Sequence, residues 1–295
     1  MKNFKSLFFA TSALFLTNVM FAQNNILNAF SPSEIGDESI EEIYMKADGP
    51  IPYEYVNQRD VIFQKKVWET IPLDQKQNLK YYLPLRETMD RKPLFTILKD
   101  AVMNGKIKYV FEDDNFQFPI NTNNLESKFI RVDTTDVGKD QYVLEGRVDP
   151  QYIVETTIGP ADVQEYRIMG MYYLDRNAGE LKYRLLAIAP ITTDIGMKGR
   201  DYDSEPVPLF WIFFPDARET LYNSYAYNEK NPAMKLNYDY LLNARRFSAT
   251  IYKADNIYGD ATIKDYVQGN AMMQLLEAER IKESIRDLED DLWNY

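Results

Sequence analysis

The chain has 295 residues, of which 34 are Lys or Arg and 45 are Asp or Glu, giving a formal net charge of −11. It contains no His and no Cys, which excludes Ser-His-Asp and Cys-His nucleophilic catalysis, imidazole general-base chemistry and His/Cys zinc sites. The acidic balance disfavours nucleic acid as a partner, because phosphates repel a negatively charged surface, and it favours a basic protein surface.

The first 22 residues have the pattern of a secretory signal peptide. Lys2 and Lys5 precede an apolar run from Leu7 to Val19, and Ala22 stands at the expected cleavage site. The run is shorter than the ~20 apolar residues that a membrane span needs. We therefore predict export and cleavage after Ala22 rather than an uncleaved anchor. Without Cys, the exported chain has to rely on packing or partners rather than on disulfides.

We predict four segments: a signal peptide over 1–22, an extended arm over 23–55, an α+β core over 56–225 and a helical C-terminal region over 226–295. The arm contains Ser31-Pro32-Ser33, Gly36 and Gly49-Pro50, which break regular structure. Such an arm is either a disordered lead-in or a strap that holds a neighbouring subunit, and the sequence leaves both open.

The core begins with a predicted strand, helix and strand. β-Branched and aromatic residues over 59–72 indicate a strand. A helix is expected from Pro93, a residue that suits a helix start, to Asn104-Gly105, where glycine favours a left-handed cap. Residues 106–111 then indicate another strand. Short strands are predicted at Phe129–Val132 and Tyr142–Leu144.

A long hairpin is predicted next, with strands at Val163–Leu174 and Leu181–Ala189. The turn between them contains Asp, Asn and Gly, which accept positive φ at low cost. Alternation on the second strand predicts that one face carries Leu181, Tyr183, Leu185, Ala187 and Ala189. A further strand is expected at Leu209–Phe214.

The last third of the sequence is predicted to be helical. Pro215-Asp216 indicates one helix start, and Asn231 or Asn237 can cap another helix. The terminal helix has an apolar stripe at a spacing of three or four residues, formed by Ala271, Leu275, Ala278, Ile281, Ile285, Leu288 and Leu292. The predicted fold is α+β, with a mixed β-sheet core, flanking helices and this helical C-terminal region.

No motif indicates catalysis, a cofactor or a metal. Asp201–Glu205 has oxygens at alternate positions, but Pro206 and Ile212 stand where a calcium loop needs Gly and Glu. Gly196–Gly199 lacks the spacing of a phosphate loop. Carboxylate pairs occur by chance among so many acids, and no spacing singles one out for glycosidase chemistry. We therefore predict no catalytic, cofactor-binding or metal-binding residue.

The aromatic residues are the remaining functional signal. The chain has 22 Tyr, 16 Phe and 3 Trp, and tyrosine is favoured at protein interfaces. Several tyrosines in polar surroundings, two arginines near them and the aromatic C-terminus form the predicted contact set. Its members are Tyr222, Tyr225, Tyr227, Tyr238, Tyr240, Arg245, Arg246, Trp293 and Tyr295.

From about Arg59 to Tyr295 the sequence resembles the PorN/GldN family of the type IX secretion and gliding-motility machinery of Bacteroidetes. The resemblance depends on the order of several blocks: Val67-Trp68-Glu69-Thr70-Ile71, Asn104-Gly105-Lys106-Ile107, residues 181–190, residues 209–218, residues 245–253 and residues 290–295. The family often has His where this chain has Asp290 and Ser where it has Ala249. Neither difference falls on a known catalytic role.

The resemblance implies a non-enzymatic periplasmic component without cofactors. It implies association with the outer membrane through a lipoprotein of the PorK/GldK type, self-association in a ring, and contact with the inner-membrane-anchored PorM/GldM protein. A secreted carbohydrate-binding module or carboxylate-dependent hydrolase is the alternative, and it requires an open cleft with facing carboxylates or a planar row of aromatic rings.

Overall fold

The structure is a computed structural model that describes residues 49–87, 91–120, 122–196, 198, 205–228 and 236–292. The chain divides into two units, residues 1–52 and residues 53–295. In the first unit only residues 49–52 are described, and they have no regular secondary structure. The predicted signal peptide and most of the predicted arm therefore lie outside the described residues. All helices and strands of the described part belong to the second unit.

The described part of the second unit alternates strands and helices without a repeating order. Its strands are β1 (Val61–Pro72), β2 (Val110–Phe111), β3 (Ile130–Thr134), β4 (Ile153–Thr157), β5 (Val163–Asp175), β6 (Glu180–Thr192), β7 (Val207–Pro208), β8 (Trp211–Phe213), β9 (Tyr225–Ala226), β10 (Leu236–Asn237) and β11 (Thr250–Ala254). Its helices are α1 (Leu79–Tyr82), α2 (Leu94–Met103), α3 (Thr122–Phe129), α4 (Asp136–Glu145), α5 (Phe214–Tyr222), α6 (Tyr238–Asn243), α7 (Ile263–Tyr266) and α8 (Ala271–Leu292).

The main sheet has the strand order β11-β1-β5-β6-β8-β2, and β7 also pairs with β6. Each of these pairings is antiparallel. The predicted α+β class is confirmed, but the expectation of a mixed sheet is wrong for the described strands. The reason is connectivity, because β5, β6 and β8 lie between β1 and β2, so the predicted strand–helix–strand unit forms no parallel pair.

The hairpin of β5 and β6 is the centre of the sheet. It pairs from Asp175↔Glu180 to Val163↔Thr192, which confirms the predicted hairpin. Gly179 in its turn has a φ of 64°, a left-handed conformation that glycine adopts without a Cβ clash. Each strand of the hairpin has a further neighbour in the sheet. β1 pairs along β5, and β8 pairs with β6 at Ala187 and Ile188.

A β-bulge at Leu186 divides the second hairpin strand. The register passes from Gly170↔Leu185 to Met169↔Ala187, and one extra residue moves every following side chain to the opposite face. Leu185 accordingly lies in the largest core cluster, whereas Ala187 and Ala189 lie in a separate cluster around Trp68. The predicted single face is therefore wrong beyond Leu185.

Helices cover the sheet through two apolar clusters. In the larger, α2, α5 and α6 bury leucines and aromatic rings such as Leu98, Phe214 and Leu242 against the sheet. In the smaller, α8 buries Ala278, Ile281 and Ile285 against β1 and β11. Fully burying one such side chain contributes roughly 1.5–3 kcal/mol, so these contacts fix where each helix lies.

The region 226–295 is less helical than the sequence predicts. It contributes β11, which pairs with β1 from Thr70↔Thr250 to Val67↔Ala254. The terminal helix is confirmed as α8, but its apolar stripe is buried only over its middle turns. Leu275 is half exposed, as are its neighbours Met272, Met273 and Leu276.

Residues 142–144 form part of a helix rather than the predicted strand. Thr135 caps α4, because its hydroxyl oxygen accepts a hydrogen bond from Gly138 N at 3.3 Å. Gly146 ends the helix with a φ of 70°. A Thr cap and a left-handed Gly are both sequence signals for a helix, and here they prevail over the strand propensity of Tyr142 and Val143.

Candidate functional site

A groove of about 870 Å³ lies between α1, α6 and the residues around β9 and β10. Its floor is apolar and includes Leu79, Leu83, Pro84, Leu236 and Leu241. Its rim carries five cations: Lys76, Lys80, Arg91, Arg245 and Arg246. Among the lining residues that the structure describes there is no carboxylate. We call this feature the basic groove.

A buried amide holds α1 in place as one wall of the groove. Asn78 is completely buried, and its Nδ2 donates to the carbonyl oxygens of Pro72 at 2.7 Å and Ser248 at 2.8 Å. Its Oδ1 accepts from Ser248 N at 2.9 Å. The side chain thus joins the end of β1, the start of α1 and the segment after α6.

Aromatic rings connect the two walls beneath the floor. The Tyr81 ring is buried on α1 and lies 6.3 Å from the Tyr238 ring of α6, between ring centroids. The Tyr81 hydroxyl also approaches the carbonyl oxygens of Leu241 and Arg246 at 3.3 and 3.2 Å. Burial raises the pKa of Tyr81, so this hydroxyl stays neutral. The walls are therefore fixed by side chains that belong to the core.

The groove concentrates positive charge on an acidic protein. Burial lowers the pKa of Lys80, and the nearby Arg246 guanidinium lowers it further. Arg246 is exposed, and one of its terminal nitrogens donates to the Tyr240 hydroxyl at 3.0 Å. A lowered lysine pKa means that the charged form is unfavourable in place. An anionic group that entered the groove would offset both the burial of Lys80 and its repulsion by Arg246.

Arg245 has a structural role that sets it apart from the other rim cations. Its guanidinium forms a bidentate ion pair with the carboxylate of Glu69 in β1, at 2.8 and 2.7 Å. It also lies 4.2 Å from the Tyr183 ring centroid. Its charge is therefore neutralised inside the protein, whereas Lys76, Lys80 and Arg246 of the rim can contact an anion.

The structure brings some of the predicted contact residues together and separates others. Tyr227, Arg245 and Arg246 line the basic groove, and the exposed ring of Tyr240 lies against the guanidinium of Arg246, 5.3 Å from its centroid. Tyr222 and Tyr225 are half buried and do not line it. Trp293 and Tyr295 lie outside the described residues.

Tyr238 requires a correction, because it is completely buried. Its hydroxyl approaches the carbonyl oxygen of Lys92 at 3.1 Å, and its ring belongs to the largest core cluster. As the first residue of α6 it faces the sheet, so a polar sequence neighbourhood gave the wrong prediction of a surface position. Tyr238 stabilises the groove from below rather than lining it.

Sequence reasoning missed the α1 side of the groove. Lys76, Leu79, Lys80 and Leu83 repeat at a spacing of three or four residues, which places them on one side of a helical turn. This pattern of paired lysines and leucines could have indicated a cationic face with an apolar base. Arg91 has no such signal, since it reaches the groove only through the tertiary fold, where its guanidinium lies 4.6 Å from the Tyr227 ring centroid.

The carboxylates of the described residues do not meet the requirements of a metal site. No group of three or more carboxylates is placed to hold a metal ion within them. The Asp201–Glu205 loop falls largely outside the described residues, so its geometry is not defined. Within the described part of the chain, no helix is sufficiently long and apolar to cross a membrane. The chemistry that the basic groove offers is recognition of an anionic, partly apolar group.

Comparison with known proteins identifies the family of this chain. No curated protein matches the sequence. The family model described as "Gliding motility associated protein GldN" matches residues 56–294, a stretch that contains the whole main sheet and the basic groove. The chain therefore belongs to the GldN family of gliding-motility-associated proteins.

Proposed function

We propose that this protein is a non-enzymatic periplasmic scaffold subunit of the type IX protein secretion and gliding-motility machinery. In this role it forms a ring complex with an outer-membrane lipoprotein of the PorK/GldK type and contacts the inner-membrane-anchored PorM/GldM protein. The observation that carries the proposal is the family match over residues 56–294. The signal-peptide pattern at 1–22 supports export to the periplasm.

The basic groove supports a role in protein binding. Interfaces combine an apolar centre with a polar rim, and the leucines of the groove floor and the cations of its rim have this arrangement. The alternative, a carboxylate-dependent hydrolase or a sugar-binding module, gains no support from this groove. Its described lining has no carboxylate and a single aromatic residue, Tyr227.

Purification of the complex from cell envelopes tests the proposal. The native chain is extracted in mild detergent, separated by size, and its high-mass partners are identified by mass spectrometry. We expect a lipoprotein of the PorK/GldK type in the same fraction. Elution of this chain alone, at the mass of a monomer or small oligomer, would contradict the scaffold role.

Matched charge reversals test whether the groove contributes to the complex. Lys76→Glu with Arg246→Glu changes two exposed rim cations, whereas Lys106→Glu with Lys108→Glu changes two exposed lysines that do not line the groove. Both variants change the net charge equally. We expect the first to lose lipoprotein from the high-mass fraction and the second to keep it. Equal recovery from both variants would remove the groove from the proposal.

A further inference from the structure

Residues 130–157 contain a small sheet separate from the main sheet, and we call this segment the side module. It consists of the two-stranded sheet of β3 and β4 and helix α4 between them. Gly138 lets α4 approach the end of β3 and the turn before β4 closely, because an added Cβ would lie 2.7 Å from both Thr134 Cγ2 and Tyr152 Cβ. Two-stranded sheets have little independent stability, so this module depends on its packing against α4.

The last turn of α4 exposes a group of large apolar side chains. Tyr142, Val143 and Leu144 expose 61%, 81% and 84% of their surface. Residues 142–147 are all exposed. Single exposed apolar residues are ordinary, but three consecutive ones at the end of one helix form a group that favours an interaction site.

The side module is also acidic. Residues 130–157 contain six carboxylates and three cations. Asp140 and Glu145 are exposed on either side of the apolar group. Glu145 is partly neutralised by the exposed Arg147, whose Nε lies 3.4 Å from Glu145 Oε2, so the negative charge beside the three apolar side chains comes mainly from Asp140.

The basic groove has the complementary composition. Its floor offers Leu79, Leu236 and Leu241 to apolar side chains, and Lys76, Lys80 and Arg246 of its rim can meet carboxylates. Its volume of about 870 Å³ is within the range of roughly 300–1,000 Å³ that is typical of pockets for small ligands, so it has room for a few apolar side chains. Complementary potentials of this kind determine which surfaces meet and in which register.

We propose that the basic groove of one copy of this chain binds the end of α4, residues 140–145, of a second copy. The two surfaces differ, so the contact is head-to-tail, and repeated contacts form either a closed ring or an open filament. The inference rests on the proposed function, which it deepens by naming the surfaces through which one scaffold subunit binds the next.

Sedimentation velocity of the isolated chain from Gln23 onward tests the self-association. The measurement covers roughly 1–100 µM, because interfaces of ordinary size reach micromolar affinity or better. We expect the sedimentation coefficient to rise with concentration and to fall with added salt, since salt screens the exposed charges. Lys76→Glu with Arg246→Glu should weaken association at least tenfold, and Lys106→Glu with Lys108→Glu should leave it unchanged.

A second variant removes the other half of the contact. Val143→Ser with Leu144→Ser should weaken association by a similar factor, while the thermal unfolding midpoint stays near the wild-type value because both side chains are exposed. A 1:1 mixture of this variant with the groove variant retains one intact groove and one intact α4 end. The mixture should therefore form a dimer and nothing larger.

Three outcomes would overturn the inference. They are a wild-type chain that stays monomeric over the whole range, association that persists in both variants, and a mixture that forms no heterodimer. These outcomes are distinct from failure of the scaffold proposal, because the isolated chain can self-associate whether or not a lipoprotein co-purifies from envelopes.

Discussion

Arg245, which follows α6, and Glu69, in β1, join two parts of the chain that are 176 positions apart. Glu69 is almost completely buried, and the side chain of Arg245 is 28% exposed. Burial lowers the pKa of Arg245, but the hydrogen bonds and charge of Glu69 more than offset this, so the pKa is raised overall. Arg245 also has a left-handed backbone with a φ of 49°. The pair thus locks the loop beside the groove onto the sheet.

Breaking this ion pair should strongly destabilise the fold. Glu69→Ala leaves a partly buried guanidinium without its partner, and we expect a loss of about 3–5 kcal/mol in the free energy of unfolding. Arg246→Ala, at an exposed neighbouring position, is the control and should change it by less than about 0.5 kcal/mol. Urea denaturation measures both. A loss in Glu69→Ala no larger than the loss in Arg246→Ala would show that the ion pair contributes little to the free energy of unfolding.

Removing the amide of Asn78 should destabilise the wall of the groove. Asn78→Ala leaves the carbonyls of Pro72 and Ser248 and the Ser248 N–H without this partner. Each buried polar group left unsatisfied costs about 1–3 kcal/mol, so we expect a total loss of at least 2 kcal/mol in urea denaturation. The adjacent exposed Gln77→Ala is the matched control. Faster hydrogen exchange over α1 in the Asn78 variant alone would locate the effect.

Gly170 is expected to tolerate no side chain. An added Cβ would overlap the ring and hydroxyl of Tyr183 on β6, and overpacking of a core costs typically about 1–3 kcal/mol. Gly170→Ala should therefore lower the thermal unfolding midpoint. Gly159→Ala, where a Cβ meets nothing closer than 3.8 Å, should leave it nearly unchanged. Adding Tyr183→Leu to Gly170→Ala should recover part of the loss, and absence of any recovery would point to a backbone effect instead.

Stability should fall at alkaline pH. Burial raises the pKa of Tyr53 to about 12, against the opposing effect of Arg218, and burial also raises the pKa of Tyr238. When the pKa of a tyrosine is higher in the folded state than its unfolded value of about 10, the neutral hydroxyl stabilises the folded state. This contribution is complete below pH ~10 and is lost as the pH rises through the folded pKa. The free energy of unfolding should therefore decline from about pH 10 upward.

Tyr53→Phe tests the assignment of that decline. The variant removes one raised pKa, so its loss of stability between about pH 10 and 12 should be smaller than that of the wild type. It also removes the hydrogen bond that the Tyr53 hydroxyl donates to Asn243 Oδ1 at 2.8 Å, which lowers stability at every pH. Only the slope against pH is therefore diagnostic, and equal slopes would exclude Tyr53 as a contributor.

Local sequence signals predicted the elements whose own residues define them. The β5–β6 hairpin follows from two strand patterns and a turn ending at Gly179, and α8 follows from an apolar stripe at helical spacing. Where two local signals competed, as in residues 142–144, the caps at Thr135 and Gly146 decided the outcome. The change of sheet face at the Leu186 bulge could not be predicted, because a bulge is a property of two paired strands rather than of one.

The sequence by itself determined the absence of His and Cys chemistry, the negative charge, the α+β class and the membership of the predicted contact set. Only the tertiary structure decided what those contact residues do. Tyr238 and Arg245 lie in the same polar stretch as Tyr240 and Arg246, yet the first two face the sheet and the second two face solvent. Tyr238 is buried because its side of α6 packs into the core, and Arg245 is held by Glu69, 176 positions earlier in the sequence. The polarity of the local sequence does not contain this information.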